Sequence, residues 1–274
     1  MLSQTIKETT ILVDAHVHIY DCFEIHWLLD AAYHNFQRAA ATQAGDSEFI
    51  GVLMLTESFG HECFSKMREI GSGSAQQSGT WQFLRLAEDE SALLAQRTSG
   101  EKLLLLSGRQ IVTCERIEVL ALATDLSARD GLPLVEVLAN ININGGLAVL
   151  PWGVGKWLGR RGDFIRQILH QCDSQSICLG DIAGRPSFWP RPAIFRLADL
   201  KGIRILRGTD PLPLATEGTR PGSYGSRITA TLSLSQPSHQ LKQLLLNREV
   251  VIHPYGRGEN MSRFIRNQLL LRYH

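Results

Sequence analysis

Cysteine pairs of the Cys-x-x-Cys kind are missing from this chain, and its five cysteines (Cys22, Cys63, Cys114, Cys172 and Cys178) are widely scattered. An odd, dispersed set argues against a disulfide framework or a zinc ribbon and fits a reducing compartment. Net charge is scarce as well. At a formal +1 the chain carries no basic footprint for nucleic acid or for an anionic membrane. No apolar run approaches the length that crosses a bilayer, and Met1 to Thr10 is polar, without the apolar core of a signal peptide. The expectation is a cytoplasmic protein that engages neither nucleic acid nor membrane.

What the chain does have is core-forming material. Its 274 residues are 44% hydrophobic and 20% charged, enough for a soluble protein with a substantial interior. Length alone allows two small domains or one large barrel. No internal repeat or clear boundary appears, so residues 1–274 read as a single barrel domain.

An apolar run, Ile11-Leu12-Val13, leads into Asp14-Ala15-His16-Val17-His18. Alternation along a strand puts His16 and His18 on one face, with Asp14 behind them. Two imidazoles side by side make half of a divalent metal site, and a nearby carboxylate can orient one of them. Helical spacing follows over Cys22 to Ala44, then a strand-length run at Phe49 to Leu55 that ends in Thr56-Glu57-Ser58, and a second helix from Glu62 to Ile70. Gly71 to Gly79 is rich in Gly and Ser and reads as a flexible loop. Short runs at close spacing fill residues 80–125, as in an antiparallel β insertion. Helices and strands then alternate through Leu147–Leu150, Ser176–Asp181 and Ile203–Leu206 to the loop Arg207-Gly208-Thr209-Asp210-Pro211. The pattern predicts an α/β fold built as a TIM-like (β/α) barrel, distorted or seven-stranded. Residues 237–274 form a C-terminal helical extension that packs on the barrel or on a partner subunit, which would make a homo-oligomer.

In such a barrel, functional groups lie where strands end. Those positions hold His16, His18, Glu57, His61, Gln110, Trp152, Lys156, Asp181, Arg185 and Asp210. Barrel closure would return Asp210 beside the first strand, where it either ligates a metal or takes a proton from metal-bound water. As a turn-starter before Pro211 it has a bland reading too. Arg185 and Arg227 offer guanidinium forks for an anionic substrate. Lys156 either holds that anion or is a solvated loop residue.

Val13-Asp14-Ala15-His16-Val17-His18 resembles the opening strand of metal-dependent hydrolases with TIM-like barrels, both the amidohydrolases and the polymerase-and-histidinol-phosphatase (PHP) group. Gly208-Thr209-Asp210-Pro211 resembles their closing-strand motif, in which the Asp ligates metal. The runs Leu106–Ile111, Ile117–Leu122 and Asn144–Leu150 look more like the PHP group. Departures reduce the site that the resemblance implies. Thr56-Glu57-Ser58 stands where PHP proteins have Thr-Asp-His, Gln110 replaces a bridging Glu, Glu118 falls near an expected His, and Pro151-Trp152 replaces His-Pro. The resulting expectation is a single divalent ion, zinc before manganese or iron, held by His16, His18 and Asp210 with Glu57 or His61 as a fourth ligand. Asp210 or Glu57 would be the proton acceptor. A small anionic phosphoester, amide or lactone would be the substrate, bound by Lys156, Arg185 and Arg227. The alternative is an inactive barrel that serves in binding or assembly.

Overall fold

The chain's first strand decides the architecture. In the computed structural model, which describes residues 8–41, 48–70 and 79–273, β1 (Thr9–Val17) is buried from Ile11 onward. Such a continuous apolar run suits a strand covered on both faces. Ile11, Val13 and Ala15 face one apolar cluster and Leu12 another.

In chain order there follow α1 (Ile25–Ala41), β2 (Phe49–Leu55), α2 (Cys63–Ile70), β3 (Trp81–Leu86), β4 (Asp89–Arg97), β5 (Lys102–Leu106), β6 (Gly108–Val112) and β7 (Glu118–Leu122). The second half comprises α3 (Leu134–Ile143), β8 (Leu147–Pro151), α4 (Arg160–Gln171), β9 (Cys178–Ile182), α5 (Ala193–Lys201), β10 (Ile205–Gly208), β11 (Gly225–Ala230), α6 (Pro237–Leu246), β12 (His253–Tyr255) and α7 (Met261–Tyr273). The Gly/Ser-rich stretch at 71–78 lies outside the described residues, as does the polar start at 1–7.

These strands form two mixed sheets rather than the expected closed barrel. One runs β12-β11-β1-β2-β5-β4-β3 and the other β10-β9-β8-β7-β6. The physical reason is edge occupancy. One edge of β1 pairs with β2, and the other is taken from Thr9 to Val13 by antiparallel β11. The free edge of β2 goes to β5, from Gly51 to Met54. β10 and β6, which would have closed a barrel onto β1 and β2, find those edges filled. Their backbone hydrogen bonds to the larger sheet lie at the strand ends, from Asp210 N–H to His16 O (2.8 Å), Glu57 N–H to Gly108 O (3.0 Å) and Gln110 N–H to Glu57 O (2.9 Å).

A glycine sits at each of these two seams. A Cβ on Gly208 would lie 2.4 Å from the His16 nitrogen, and one on Gly108 would lie 2.4 Å from the Leu55 carbonyl oxygen. Backbone can approach backbone this closely only where no side chain intervenes.

Away from the seams the sheets enclose the central cluster, which includes Val13, Met54, Leu104, Leu122, Val149 and Leu206. Leu241 and Leu245 of α6 are fully buried in the same cluster. Helices α1 and α2 cover the outer face of the larger sheet, and α3, α4 and α5 that of the smaller. Trp152 packs against Phe195 in this second outer layer, with ring centroids 6.4 Å apart. No helix among the described residues is long and apolar enough to cross a membrane.

Candidate metal centre

His16 and His18 lie at the end of β1, where the backbone departs from regular alternation. Against β2, Asp14 pairs with Leu53 but Val17 with Leu55, so three steps of β1 match two of β2. This bulge re-aims the side chains that follow it. Val17 accordingly joins the helix-side cluster of Leu12 rather than the inner cluster of Ala15. The two imidazoles converge, with Nε2 atoms 3.1 Å apart.

Asp210 arrives from the far end of the chain. Its φ of 45° is left-handed, a conformation that costs an L-residue about 1–2 kcal/mol and that Asp tolerates better than most. Its N–H is held by His16 O. Its Oδ1 lies 3.3 Å from His16 Nε2 and 3.6 Å from His18 Nε2.

Three donor atoms thus form a triangle with edges of 3.1, 3.3 and 3.6 Å. Tetrahedral zinc with bonds near 2.0–2.1 Å needs ligand–ligand edges of about 3.3–3.4 Å. The residues present therefore fit a divalent ion, and among the described residues they are the set of three or more His, Cys, Asp or Glu that can hold one.

Electrostatics agree with the geometry. Burial lowers the His16 pKa to about 4, against an opposing pull from Asp210. Burial likewise lowers that of His18. Both rings are then neutral at physiological pH, the form that ligates metal. Burial would raise the Asp210 carboxyl, but His16, His18, Lys156 and Arg220 outweigh it and hold it below its ordinary value. The side chain of Gln110 lies near enough to act on both histidines. As a neutral amide it brings no charge to the pair.

Asp14 does not orient either ring. Its carboxylate accepts Thr209 N–H (2.8 Å), Thr209 Oγ1–H (2.6 Å), Gly222 N–H (2.8 Å) and His16 N–H (3.3 Å). It ties β1 to β10 and to the turn before β11, and so sets the position of Asp210. His16 Nδ1 is buried without a hydrogen-bond partner.

The other sequence candidates lie elsewhere. Glu57 Oε1 accepts the Phe64 N–H at 2.6 Å at the start of α2, so its carboxylate caps that helix. His61 is half-buried in the preceding loop and is not in the metal-binding cluster. Lys156 pairs with Glu118 at 2.5 Å, close enough for its charge to act on His16, His18 and Asp210. Arg185 is committed to Asp181 through a fork of 2.7 and 2.9 Å, and Asp181 also accepts the Tyr224 hydroxyl at 2.7 Å. Arg227 stands opposite Leu12 on β11, before the histidines.

No family model and no curated protein matches this chain. Among solved structures, PsfC from Pseudomonas syringae PB-5123 is similar at TM-score 0.50 and 14% identity, over 97% of this chain and 98% of that one. It shows a shared fold. A two-domain protein from Bacteroides vulgatus ATCC 8482, containing a predicted PHP-like metal-dependent phosphoesterase, matches at TM-score 0.43 and 11% identity, over 94% of this chain and 70% of its own.

One neighbour of the site went unread in the sequence. Tyr20 stacks on His18 at 5.4 Å and 23°. It continues the i, i+2 series of His16 and His18, and that spacing was the available signal.

Proposed function

We propose that this chain is a metal-dependent hydrolase with a single divalent ion, zinc before manganese or iron, held by His16, His18 and Asp210. The observation that carries the reading is the donor triangle of 3.1, 3.3 and 3.6 Å, which matches tetrahedral ligation. When bound, such an ion supplies a Lewis acid that makes water nucleophilic near neutral pH.

The chain's own residues do the rest. Neutral His16 and His18 offer lone pairs, with the uncharged Gln110 side chain near both rings. Asp210 is the carboxylate beside them and takes the proton released from water. Lys156 is paired with Glu118 beside the site, and it would bind an anionic substrate by exchanging that carboxylate for the substrate's anionic group. Glu57 is omitted as a base because its carboxylate caps α2. Phosphoesters lead the substrate classes, ahead of amides and lactones, because the strand motifs resemble those of the PHP group.

Elemental analysis of the purified protein tests the proposal. Stoichiometric metal that disappears in the His16→Ala/His18→Ala variant is expected; absence of zinc, manganese and iron, or a metal content indifferent to that substitution, would sink it. A second reading, a fold that keeps its metal but has lost catalysis and serves in binding, is favoured by the neutral Gln110 beside the histidines. It predicts bound metal with no turnover across phosphoester, amide and lactone panels.

A further inference from the structure

The seam that leaves the two sheets unjoined also leaves a cavity of about 720 Å³. Its walls come from β9, β10 and α5 on one side, and from Ser226, Arg248, Ile252 and Pro254 on the other. Five arginines line it, Arg185, Arg191, Arg204, Arg207 and Arg248, against two carboxylates, Asp181 and Asp199. Those two carboxylates are already engaged. Asp181 holds the fork of Arg185 and lies 3.5 Å from Arg207, whose guanidinium sits 4.8 Å over the Tyr224 ring. Asp199 holds both terminal nitrogens of Arg191, at 2.5 and 3.0 Å.

Arg204 and Arg248 have neutral partners instead. Arg204 Nη2 donates to the carbonyls of Asn247 and Val250, and its Nε is buried with no hydrogen-bond partner. Arg248 Nη2 donates to Ser174 Oγ and to the Lys201 carbonyl at the end of α5. These contacts fix the guanidinium groups in place without neutralising them. A wall with more cations than anions, partly withdrawn from water, strengthens every charge interaction inside it, and planar guanidinium forks match oxyanions better than any other side chain. The volume is that of a small-molecule site.

We propose that this cavity is a binding site for a small oxyanion ligand carrying two or more negative charges. It shares no lining residue with the His16–His18–Asp210 centre and does not depend on the hydrolase reading. Phosphate-bearing and polycarboxylate ligands present the same chemistry to these arginines, and two probes separate them.

The test is calorimetric titration of the full chain with inorganic pyrophosphate and, separately, with citrate, at low ionic strength. Both titrations are repeated in the His16→Ala/His18→Ala variant, where removal of metal from the other site contributes no heat. Saturable binding to at least one probe is expected, with pyrophosphate tighter for a phosphate site and citrate tighter for a carboxylate site. Arg248→Glu changes an exposed side chain and is expected to weaken binding by about tenfold to a hundredfold, the worth of one charge-assisted hydrogen bond. Arg204→Met is expected to weaken it by a similar factor, and where that variant melts early Arg248→Glu decides alone. Absence of saturable binding by both probes, affinity unmoved by Arg248→Glu, or binding abolished by removal of the histidines would each overturn the proposal.

Discussion

Replacing Gly208 by Ala tests whether close approach of β10 to β1 builds the metal centre. The new Cβ would lie 2.4 Å from the His16 nitrogen, 2.5 Å from His16 Cβ and 2.9 Å from His16 Cα. Carbon contacts are comfortable near 3.5–4.0 Å, so β10 must withdraw by about 1 Å. No rotamer change relieves this, because two of the three clashing atoms are backbone. Overpacking of this kind costs about 1–3 kcal/mol, which for a protein of this size lowers Tm by about 2–5 °C. The sharper effect falls on Asp210, two residues on. Metal–ligand distances hold within about 0.2 Å, so a shift several times larger should lower cobalt affinity at least about tenfold. Thermal melting and cobalt absorbance titration of the purified variant measure both quantities. Gly184→Ala is the control, since its Cβ would meet only Ile182 Cδ1 at 3.7 Å, and its stability is expected within about 0.5 kcal/mol of the parent. A Gly208→Ala protein with parental Tm and unchanged cobalt affinity would refute the reasoning.

Further outcomes follow from other parts of the molecule. Glu217 is fully buried between Arg220 and Arg263, each at 2.7 Å, and Glu217→Gln should cost about 2 kcal/mol in urea unfolding, because Arg220 keeps only Glu259, at 2.6 Å, and the partly exposed Arg263 loses its close carboxylate. Burial raises the Glu217 carboxyl, but the two arginines outweigh it and lower the pKa below its ordinary 4.5. Its contribution is therefore complete above 4.5 and lost as pH falls through the folded value, so acid unfolding of the parent should be steeper below pH 4.5 than that of the Gln variant. Among the cysteines, Cys22 and Cys114 are exposed, whereas burial pushes the Cys178 thiol up to about 12. A thiol reagent at pH 8 is expected to label the first two within minutes and to spare Cys178 until the protein unfolds; prompt labelling of Cys178 in the folded protein would contradict its placement in the core.

The convergence of His16, His18 and Asp210 was legible in sequence for a simple reason. His16 and His18 are two apart at the end of an apolar strand, and Asp210 follows the last apolar strand before a Gly-Thr-Asp-Pro turn. Local spacing and strand order are the kinds of information a single chain carries. Edge occupancy is not. That β11 and β5 would claim the free edges of β1 and β2 depends on pairings between segments far apart, and alternation of helices and strands is the same for an open pair of sheets as for a barrel. The role of Asp14 was misread for a related cause. Its position two residues before His16 suggested a partner for the ring, but the bulge after it and the donors of Thr209 and Gly222 draw it into a backbone tether. Glu57 shows that a carboxylate at a strand end can equally serve the helix that follows.

The Asp14 tether also bears on the order in which the molecule assembles. Its partners lie 195 residues away at Thr209 and 208 away at Gly222. Contacts of such separation pay their loop-closure entropy before they return anything, and so they form late. The candidate metal centre then cannot form in a nascent chain that has yet to emit β10, however well its first strand has folded. A metal ion that binds only the finished site stabilises the native state after the folding barrier has been crossed. Added metal is accordingly expected to slow unfolding while leaving the refolding rate nearly unchanged.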